Sequence, residues 1–451
     1  MKAKRALALA ALIVACAAAA FASGKADAAS ADAQGTSNPA MAGGPPPGSP
    51  PGPPPGQGGA IPSGTVDHGT YAAKADSDID GGTFSSTGDA ENALRVEGGV
   101  RVTLDNLVVR KTAGAAGAGD SSNFYGSNAG ILVMDGSEAV IDDADVRTAA
   151  DGANGIYSYG DGTSVTVNNA SIKTSNRGSG GVMVAGGGSM TVNDSDIETQ
   201  GGSSAALRTD RGGGTLTVDG GSYVSHGDGS PAVYSTAAVT VSNAALVSTT
   251  SEAIVVEGMN SVSLENCDVT GNMRKDNVEN LQNVMIYQSM SGDAETGKSS
   301  FSMTGGTLVS NNGDMFYVTN TSCDIRLEGV GLTLSNDTLL RVVGNDARNG
   351  WGTAGQNGGQ CEMTAVDQSL RGNVVVDGIS SLALSLTEGT DFTGTVNAEG
   401  SDGTVSVHVD SSSTWTMTGD AYVTGLTGAV ENIHAQGHTL YLNGKAVDNL
   451  G

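Results

Sequence analysis

Three ionisable residues near the middle of the sequence have the types and spacing needed for acid–base chemistry. Arg208 and Asp210 alternate along one short apolar segment, and Glu257 occupies the corresponding place in a later segment. A carboxyl group can act as a general acid or base, and an arginine beside it can hold the carboxylate or hydroxyl groups of a ligand. The sequence contains no metal-ligand spacing of His and Cys, no phosphate-binding loop and no nucleophile elbow. Arg208, Asp210 and Glu257 are therefore the candidate catalytic residues.

Several tyrosine and arginine residues occupy alternating positions like those of Arg208 and Asp210. Successive residues of a strand face opposite sides, so Arg208 faces outward if Leu207 faces the interior. The same rule places further residues on the outer surface, and the candidate ligand-binding site consists of Tyr157, Tyr159, Arg208, Asp210, Tyr234, Tyr287, Tyr317 and Arg341, with Met183 and Glu257 in the same column. Exposed aromatic rings can stack on sugar rings, whereas cross-strand packing would only stiffen the sheet. Both interpretations are open.

A short acidic segment resembles the opening of a calcium-binding loop. Asp76, Asp78 and Asp80 alternate and are followed by Gly81, but the twelfth position is Thr87 rather than Glu. Residues 79–84 also match residues 218–223, so an internal repeat already accounts for Asp80 and Gly81. We therefore favour a structural corner at Gly81 over a Ca²⁺ site.

An internal repeat positions all of these residues. Between residues 130 and 271, apolar residues open successive units at Ile131, Ile156, Val182, Leu207, Val233 and Ile254, and two further short apolar segments follow within each unit. A period of this length is typical of stacked repeats that bury their apolar faces on one another. Three short strands per unit leave no room for a helix. The pattern predicts an all-β fold, a single parallel β-helix of about a dozen coils.

One position in the repeat supports this fold independently. Asn, Asp or Gly always follows the second strand of a unit, at Asn106, Asp143, Asn169, Asp194, Gly220, Asn243, Asn266, Gly305 and Gly329. These residue types tolerate positive φ, which predicts a tight left-handed corner. Stacked Asn side chains could also hydrogen-bond to one another along the coil axis.

Composition and charge narrow the classes of partner. The 451-residue chain has 68 glycines, 4% aromatic residues and a formal net charge of −26. Few aromatics suit a narrow core of small aliphatic residues. The negative charge argues against binding to nucleic acid or to anionic membranes.

The N-terminal part of the sequence predicts export. Residues 1–22 have a basic start, an apolar core and a small-x-small cleavage site, as in a signal peptide. The segment ending at Cys16 also resembles a lipoprotein box, so a lipid anchor on Cys16 competes with plain cleavage. Residues 23–63 form a Pro- and Gly-rich linker, and residues 64–451 form the β-helix with a C-terminal cap. We expect an extracytoplasmic protein, secreted or held at the cell surface, whose membrane contact is limited to that lipid.

Two cysteines occupy equivalent places in consecutive coils. Cys323 and Cys361 each open a second strand, and neighbouring strands are close enough for a disulfide. Stacked thiols in the core are the other interpretation, and both are open.

The coil period, the three strands and the Asn/Asp/Gly column resemble the pectin-lyase-like superfamily of right-handed parallel β-helices. The resemblance covers roughly residues 65–451 and implies a right-handed coil with a groove over the first sheet. That superfamily includes polysaccharide lyases, glycoside hydrolases and adhesin-like surface proteins, so the fold alone does not decide function.

The catalytic motifs of those enzymes do not assemble in this sequence. Ser225-His226-Gly227 echoes one short polygalacturonase motif, but its companion motifs are absent. We therefore favour a non-catalytic, adhesin-like bacterial protein that binds polysaccharide or cell-surface glycans along the first sheet. A polysaccharide lyase or glycoside hydrolase using Arg208, Asp210 and Glu257 is the alternative, and a purely structural rod is the third hypothesis.

Overall fold

The computed structural model describes residues 68–117, 121–275, 278–289, 291–448 and 450–451. The predicted signal segment, the lipidation site at Cys16 and the linker lie outside these residues. Regular structure in the described part is almost entirely β-strand, as the repeat predicts. No helix there is long and apolar enough to cross a membrane.

Three long sheets contain one strand from nearly every coil, and within each sheet the strands are parallel and follow chain order. Sheet 1 has 12 strands: β1 (His68–Ala73), β4 (Glu91–Val96), β7 (Ile131–Val133), β10 (Ile156–Tyr159), β13 (Val182–Ala185), β16 (Leu207–Thr209), β19 (Val233–Ser235), β22 (Ile254–Glu257), β25 (Gln282–Tyr287), β28 (Asp314–Thr319), β31 (Thr338–Val342) and β34 (Asn373–Val376).

Sheet 2 has 14 strands: β2 (Ser77–Asp80), β5 (Arg101–Asp105), β8 (Glu138–Asp142), β11 (Ser164–Asn168), β14 (Ser189–Asn193), β17 (Thr215–Asp219), β20 (Ala238–Ser242), β23 (Ser261–Glu265), β26 (Lys298–Thr304), β29 (Ser322–Glu328), β32 (Gln360–Val366), β35 (Ser381–Thr387), β37 (Thr404–Val409) and β40 (Gly425–Gly428).

Sheet 3 has 10 strands: β3 (Thr83–Ser86), β6 (Val108–Lys111), β9 (Asp145–Thr148), β12 (Ser171–Thr174), β15 (Asp196–Thr199), β18 (Ser222–Ser225), β21 (Ala245–Ser248), β24 (Asp268–Gly271), β27 (Thr307–Ser310) and β30 (Gly331–Thr333). Each coil thus contributes three strands, which confirms the predicted parallel β-helix. We call the turns from sheet 1 to sheet 2, from sheet 2 to sheet 3 and from sheet 3 to the next coil corners 1, 2 and 3.

The C-terminal coils form two smaller sheets. Sheet 4 contains β33 (Ser369–Arg371), β36 (Asp391–Gly394), β38 (Thr414–Met417) and β41 (Ile433–His434), and sheet 5 contains β39 (Ala421–Val423), β42 (Leu440–Leu442) and β43 (Lys445–Ala446). Strand β43 pairs antiparallel with β42. Short helices are α1 (Ser121–Tyr125) and the 3₁₀ helices at Ala347–Asn349 and Val430–Asn432.

The core lies inside the coils and follows from the alternation of side chains. Ile156 pairs in register with Val182, and Val182 with Leu207, and all three side chains are fully buried. Equivalent residues of neighbouring coils therefore stack as one aliphatic column, as predicted. Each coil buries its apolar face on the coils before and after it, which is how solenoids are stabilised.

Corner 2 has the predicted backbone. The nine predicted residues all have positive φ, between 45° and 73°. The predicted hydrogen bonds along the coil axis form at two of these corner residues, where Asn106 Nδ2 donates to Asp80 Oδ1 (3.1 Å) and Asn243 Nδ2 to Asp219 Oδ1 (2.7 Å). A continuous ladder runs instead through the residue before the corner, where Asn168 Nδ2 donates to Asp142 Oδ1 (2.6 Å) and Asn193 Nδ2 donates to Asn168 Oδ1 (2.8 Å).

The cysteines of the described residues are all thiols. Cys323 pairs in register with Cys361, and both are buried in the core without a disulfide between them. The neighbouring Cys323 thiol and burial raise the pKa of Cys361 well above its usual value.

Candidate functional site

The outer face of sheet 1 has the predicted residues in register, but they form two columns rather than one, since Glu257 pairs with Tyr287 and Tyr159 with Ala185. The longer column contains Arg208 and Tyr234. Arg208 pairs with Tyr234, which pairs with Val255, and further along Met285 pairs with Tyr317 and Tyr317 with Arg341. Several of these side chains form two apolar clusters separate from the core, which confirms that they point outward.

The predicted exposure of this column is wrong. Tyr157 is 0% exposed and Tyr234 9%, and Arg208, Asp210, Glu257, Tyr287 and Tyr317 are buried as well. Tyr159 and Arg341 are half-buried. The physical reason is that segments between the strands fold back over sheet 1.

Residues 121–129, which we call the first cover, lie over the N-terminal part of the column. This segment includes α1. The Tyr157 hydroxyl donates to the carbonyl of Asn123, and Asn154 Nδ2 donates to Ser122 O at 3.1 Å. Arg208 Nη1 donates to Asn123 Oδ1 at 3.1 Å. The first cover is therefore hydrogen-bonded to strand β10, to the corner residue just before it, and to strand β16.

Residues 278–281, 291–297 and 345–357 form the second cover over the later coils. Its Trp351 side chain is almost fully buried and packs against Tyr287 with 5.9 Å between ring centroids. The Tyr317 hydroxyl bonds to Asn345 Oδ1 at 3.2 Å. Asn349 Oδ1 accepts the backbone N–H of Glu279 at 3.0 Å, so separate segments of the cover bind each other.

Arg208 and Asp210 form a buried ion pair at the junction of the two covers. Arg208 Nη2 donates to Asp210 Oδ2 at 2.8 Å, and both side chains are 2% exposed. Burial raises the pKa of Asp210 to about 6, although the Arg208 charge opposes that shift. Asp210 Oδ1 accepts the backbone N–H of Arg211 at 2.8 Å.

Arg211 connects the two covers directly. Its guanidinium lies 4.0 Å from the ring centroid of Phe124 in the first cover. Arg211 Nε also donates to Asp293 Oδ1 of the second cover at 3.1 Å. One side chain thus holds both segments over the ion pair by a cation–π contact and a charged hydrogen bond.

Glu257 lies beneath the second cover with two tyrosines. The hydroxyls of Tyr234 and Tyr287 both donate to Glu257 Oε2, the latter at 3.0 Å. Burial raises the pKa of Glu257 to about 7, against the hydrogen bonds of Ser289 and Tyr234, which lower it. Glu257 Oε1 is buried and meets no donor with hydrogen-bond geometry among the described residues. This carboxyl group is therefore an acid that can be neutral or charged near neutral pH.

A narrow cleft opens beside these groups, and its polar lining includes Arg208, Tyr234, Glu252 and Tyr287. The cleft has room for one or two water molecules. Glu252 is buried, and its Oε1 accepts from Gln282 Nε2 at 3.0 Å. The cleft brings a cation, an acid and two tyrosines together.

The sequence analysis did not identify Glu252. It stands two residues before the interior residue Ile254, in a column that also contains Asn154, Gln282 and Asp314. Because polar residues recur at this position, the sequence carries no signal that singles out Glu252.

Asp76, Asp78 and Asp80 lie on or next to strand β2 rather than on a loop. Asp76 Oδ1 accepts from Arg101 N (2.8 Å) and Asp80 Oδ1 from Asn106 Nδ2 (3.1 Å), and Gly81 has φ +74°, as the predicted corner requires. Residues two apart on a strand are separated by about 6.6 Å, so three such carboxylates do not converge on one ion. No group of three His, Cys, Asp or Glu among the described residues is arranged to hold a metal.

His226 of the short Ser-His-Gly motif lies on the side of sheet 3. Its Nδ1 contacts Thr249 Oγ1 at 3.2 Å, and Nε2 lies 3.4 Å from Glu198 Oε1. The structure does not bring it to the cleft lining.

A family model described as a right handed beta helix region matches residues 92–301. The match and the three parallel sheets define this protein as a right-handed parallel β-helix, as predicted from the sequence. The predicted resemblance to the pectin-lyase-like superfamily is consistent with that architecture. No curated protein and no solved structure matches the chain.

Proposed function

We propose that this protein is a non-catalytic, adhesin-like β-helix that binds the terminal sugar of a glycan in the cleft over sheet 1. The observation that carries the proposal is the convergence of Arg208, Tyr234, Glu252 and Tyr287 on one cleft. Charged and hydroxyl groups at such a site fix the orientation of a sugar by hydrogen bonds, and tyrosine rings supply an apolar surface.

The covers favour binding of a chain end over cleavage within a chain. An enzyme that cuts polymers internally needs an open groove, whereas the described part of this groove is filled by the two covers. The cleft itself has room for only one or two waters, so a terminal sugar enters it by a local opening of its lining.

Isothermal titration calorimetry of the full-length protein with a panel of neutral and acidic oligosaccharides tests the proposal. Glu252→Gln and Tyr234→Phe should each weaken binding by about tenfold, the loss expected when one hydrogen bond to a ligand is removed. Glu265→Gln on the exposed edge of sheet 2 is the matched control. Unchanged affinity in both cleft variants, or no binding of any sugar, would contradict the assignment.

Catalysis is the second candidate function, and the buried Glu257 specifically favours it. Strongly perturbed acids with an unpaired oxygen cluster at functional sites. Incubation of the protein with the same panel, with and without Ca²⁺, would then release shorter products or unsaturated sugars. If Glu257→Gln lost that activity but still bound the sugar, the function of the protein would be catalysis rather than binding.

We also propose that the protein is exported, because residues 1–22 have the organisation of a signal peptide. Metabolic labelling with palmitate distinguishes the two predicted forms. Labelling that disappears in Cys16→Ser indicates a lipid anchor, and a mature N-terminus after Ala22 indicates plain cleavage. Retention of the full chain in the cytoplasm would contradict export.

A further inference from the structure

The outer face of sheet 2 presents a regular grid of hydroxyl groups. Its central column is in register over six consecutive strands and consists of Thr166, Thr191, Thr217, Thr240, Ser263 and Ser302. The column two residues earlier consists of Ser164, Ser189, Thr215, Ala238, Ser261 and Ser300. Eleven of these twelve side chains therefore carry a hydroxyl, and all twelve are half-exposed or exposed.

Most of these hydroxyls are available to a ligand. Thr166, Thr191, Thr217 and Thr240 make no side-chain hydrogen bond within the part of the chain that the structure describes, whereas Ser302 donates to Ser263 at 3.0 Å. Neighbouring strands are about 4.8 Å apart and alternate residues about 6.6 Å apart, so donors and acceptors repeat on a fixed lattice.

The grid contains no charged side chain, although the chain as a whole has a net charge of −26. Glu138 and Asp324 stand at the two ends of the column that begins with Ser164, and Asp219 and Glu265 line one edge. Two cations also border the grid, but Lys298 is paired with Asp324 and Glu362, and Arg326 with Glu328. The carboxylates at the border outnumber these cations and repel a polyanion, and the grid itself offers no cation to pair with a carboxylate or sulfate. The charges therefore favour a neutral, hydroxyl-rich ligand.

The grid also lacks the anchors of a protein interface. Energetically important residues at such interfaces are mostly Trp, Tyr and Arg, and none lies in the two columns. Each hydroxyl contributes little by itself, and a flexible chain would lose conformational entropy at every sugar that it placed. Only a ligand that is already ordered can use many weak, regularly spaced contacts together.

We propose that the outer face of sheet 2 binds the surface of a solid, neutral polysaccharide, with sugar hydroxyls bonded to the grid and sugar C–H groups against the threonine methyls. This surface lies on a different sheet from the cleft and does not depend on it. The two binding activities can therefore fail separately.

Sedimentation of the full-length protein with microcrystalline cellulose, with chitin and with an insoluble acidic gel of calcium pectate tests this surface. Wild-type protein should bind at least one of the two neutral solids and not the acidic gel. The double variant Thr191→Glu/Thr217→Glu should lose at least tenfold in partition coefficient, and Thr191→Ser should retain most of it. Thr270→Glu on sheet 3 is the matched control, and circular dichroism checks that each variant folds.

Failure of wild-type protein to bind either neutral solid would overturn the proposal, as would binding to the acidic gel alone. Full binding by the folded double variant would do the same. The cleft variant Glu252→Gln should bind the solid like wild-type protein, and loss of solid binding in that variant would assign the activity to the cleft instead.

Discussion

The outer faces of sheet 1 and sheet 2 are built from the same coils but have opposite surroundings. Sheet 1 presents Tyr, Met and Arg, and two covers bury them. Sheet 2 presents Thr and Ser, and they remain half-exposed or exposed. Strand alternation therefore sets the direction of a side chain, whereas the segments between strands set its exposure.

The corners explain why only one of these faces is covered. Corner 2 has two residues in every coil from β2 to β33, because a left-handed residue turns the chain at once. The long segments that form the covers all emerge from corners 1 and 3, which flank sheet 1. A tight corner 2 thus leaves the outer face of sheet 2 exposed to solvent. The long segments at corners 1 and 3 cover sheet 1 and bury its ionisable groups.

The largest expected effect compares two outward positions of one coil. Met183→Asp places an unpaired charge against Leu132 and Tyr157 and should destabilise the protein by roughly 4 kcal/mol. Thr191→Asp, on sheet 2 of the same coil, should change the unfolding free energy by less than about 0.5 kcal/mol. Denaturant unfolding measures both, and equal effects would contradict the difference in burial.

This comparison also marks the limit of prediction from sequence. The register was predictable because Ile156, Val182 and Leu207 recur at a fixed period, and corner 2 because only Asn, Asp and Gly tolerate its backbone. The burial of Tyr234 and Glu257 was not predictable, since it depends on segments that are distant in sequence and have no repeat. Glu252 was missed for a related reason, because only the folded corner shows that it faces the cleft.

The pH dependence of stability should distinguish the buried acid from an exposed one. Glu257 has a folded-state pKa of about 7 against an ordinary 4.5, so the folded protein holds a proton that the unfolded chain releases. The stability due to this proton is complete below pH 4.5 and is lost as the pH rises to 7. Relative to Glu257→Gln, the wild-type protein should lose about 3 kcal/mol over that interval.

Thermal or denaturant unfolding from pH 4 to pH 8 measures this difference. Glu265→Gln, on the exposed edge of sheet 2, is the control and should follow the wild-type curve. A constant difference between wild type and Glu257→Gln at every pH would show that Glu257 does not gain a proton on folding.

Removal of the connection between the covers should have a smaller, local effect. Arg211→Ala deletes the contacts with Phe124 and Asp293, and should ease opening of the second cover by roughly 2 kcal/mol. The Met259 amide, which donates to Glu295 O at 2.7 Å, reports this opening by hydrogen exchange. Lys173→Ala removes an exposed ion pair on sheet 3 and should leave that amide unchanged. Unaltered exchange in Arg211→Ala would mean that other contacts hold the cover.

The smallest expected effect comes from the same isosteric change, Thr to Val, made on two consecutive strands of one coil. Thr209, next to the covered column, accepts the buried N–H of Thr236 at 2.7 Å, so Thr209→Val leaves that donor unpaired and should cost about 1 kcal/mol. Thr217→Val, on sheet 2 of the same coil, removes a hydroxyl that faces solvent and should be neutral within about 0.5 kcal/mol. Because shape and strand propensity are the same in both changes, the difference between the two midpoints of unfolding isolates the effect of the surroundings. If Thr217→Val were the more destabilising change, the hydroxyls of sheet 2 would have to be bonded within the protein, and they could not also be free to hold a ligand.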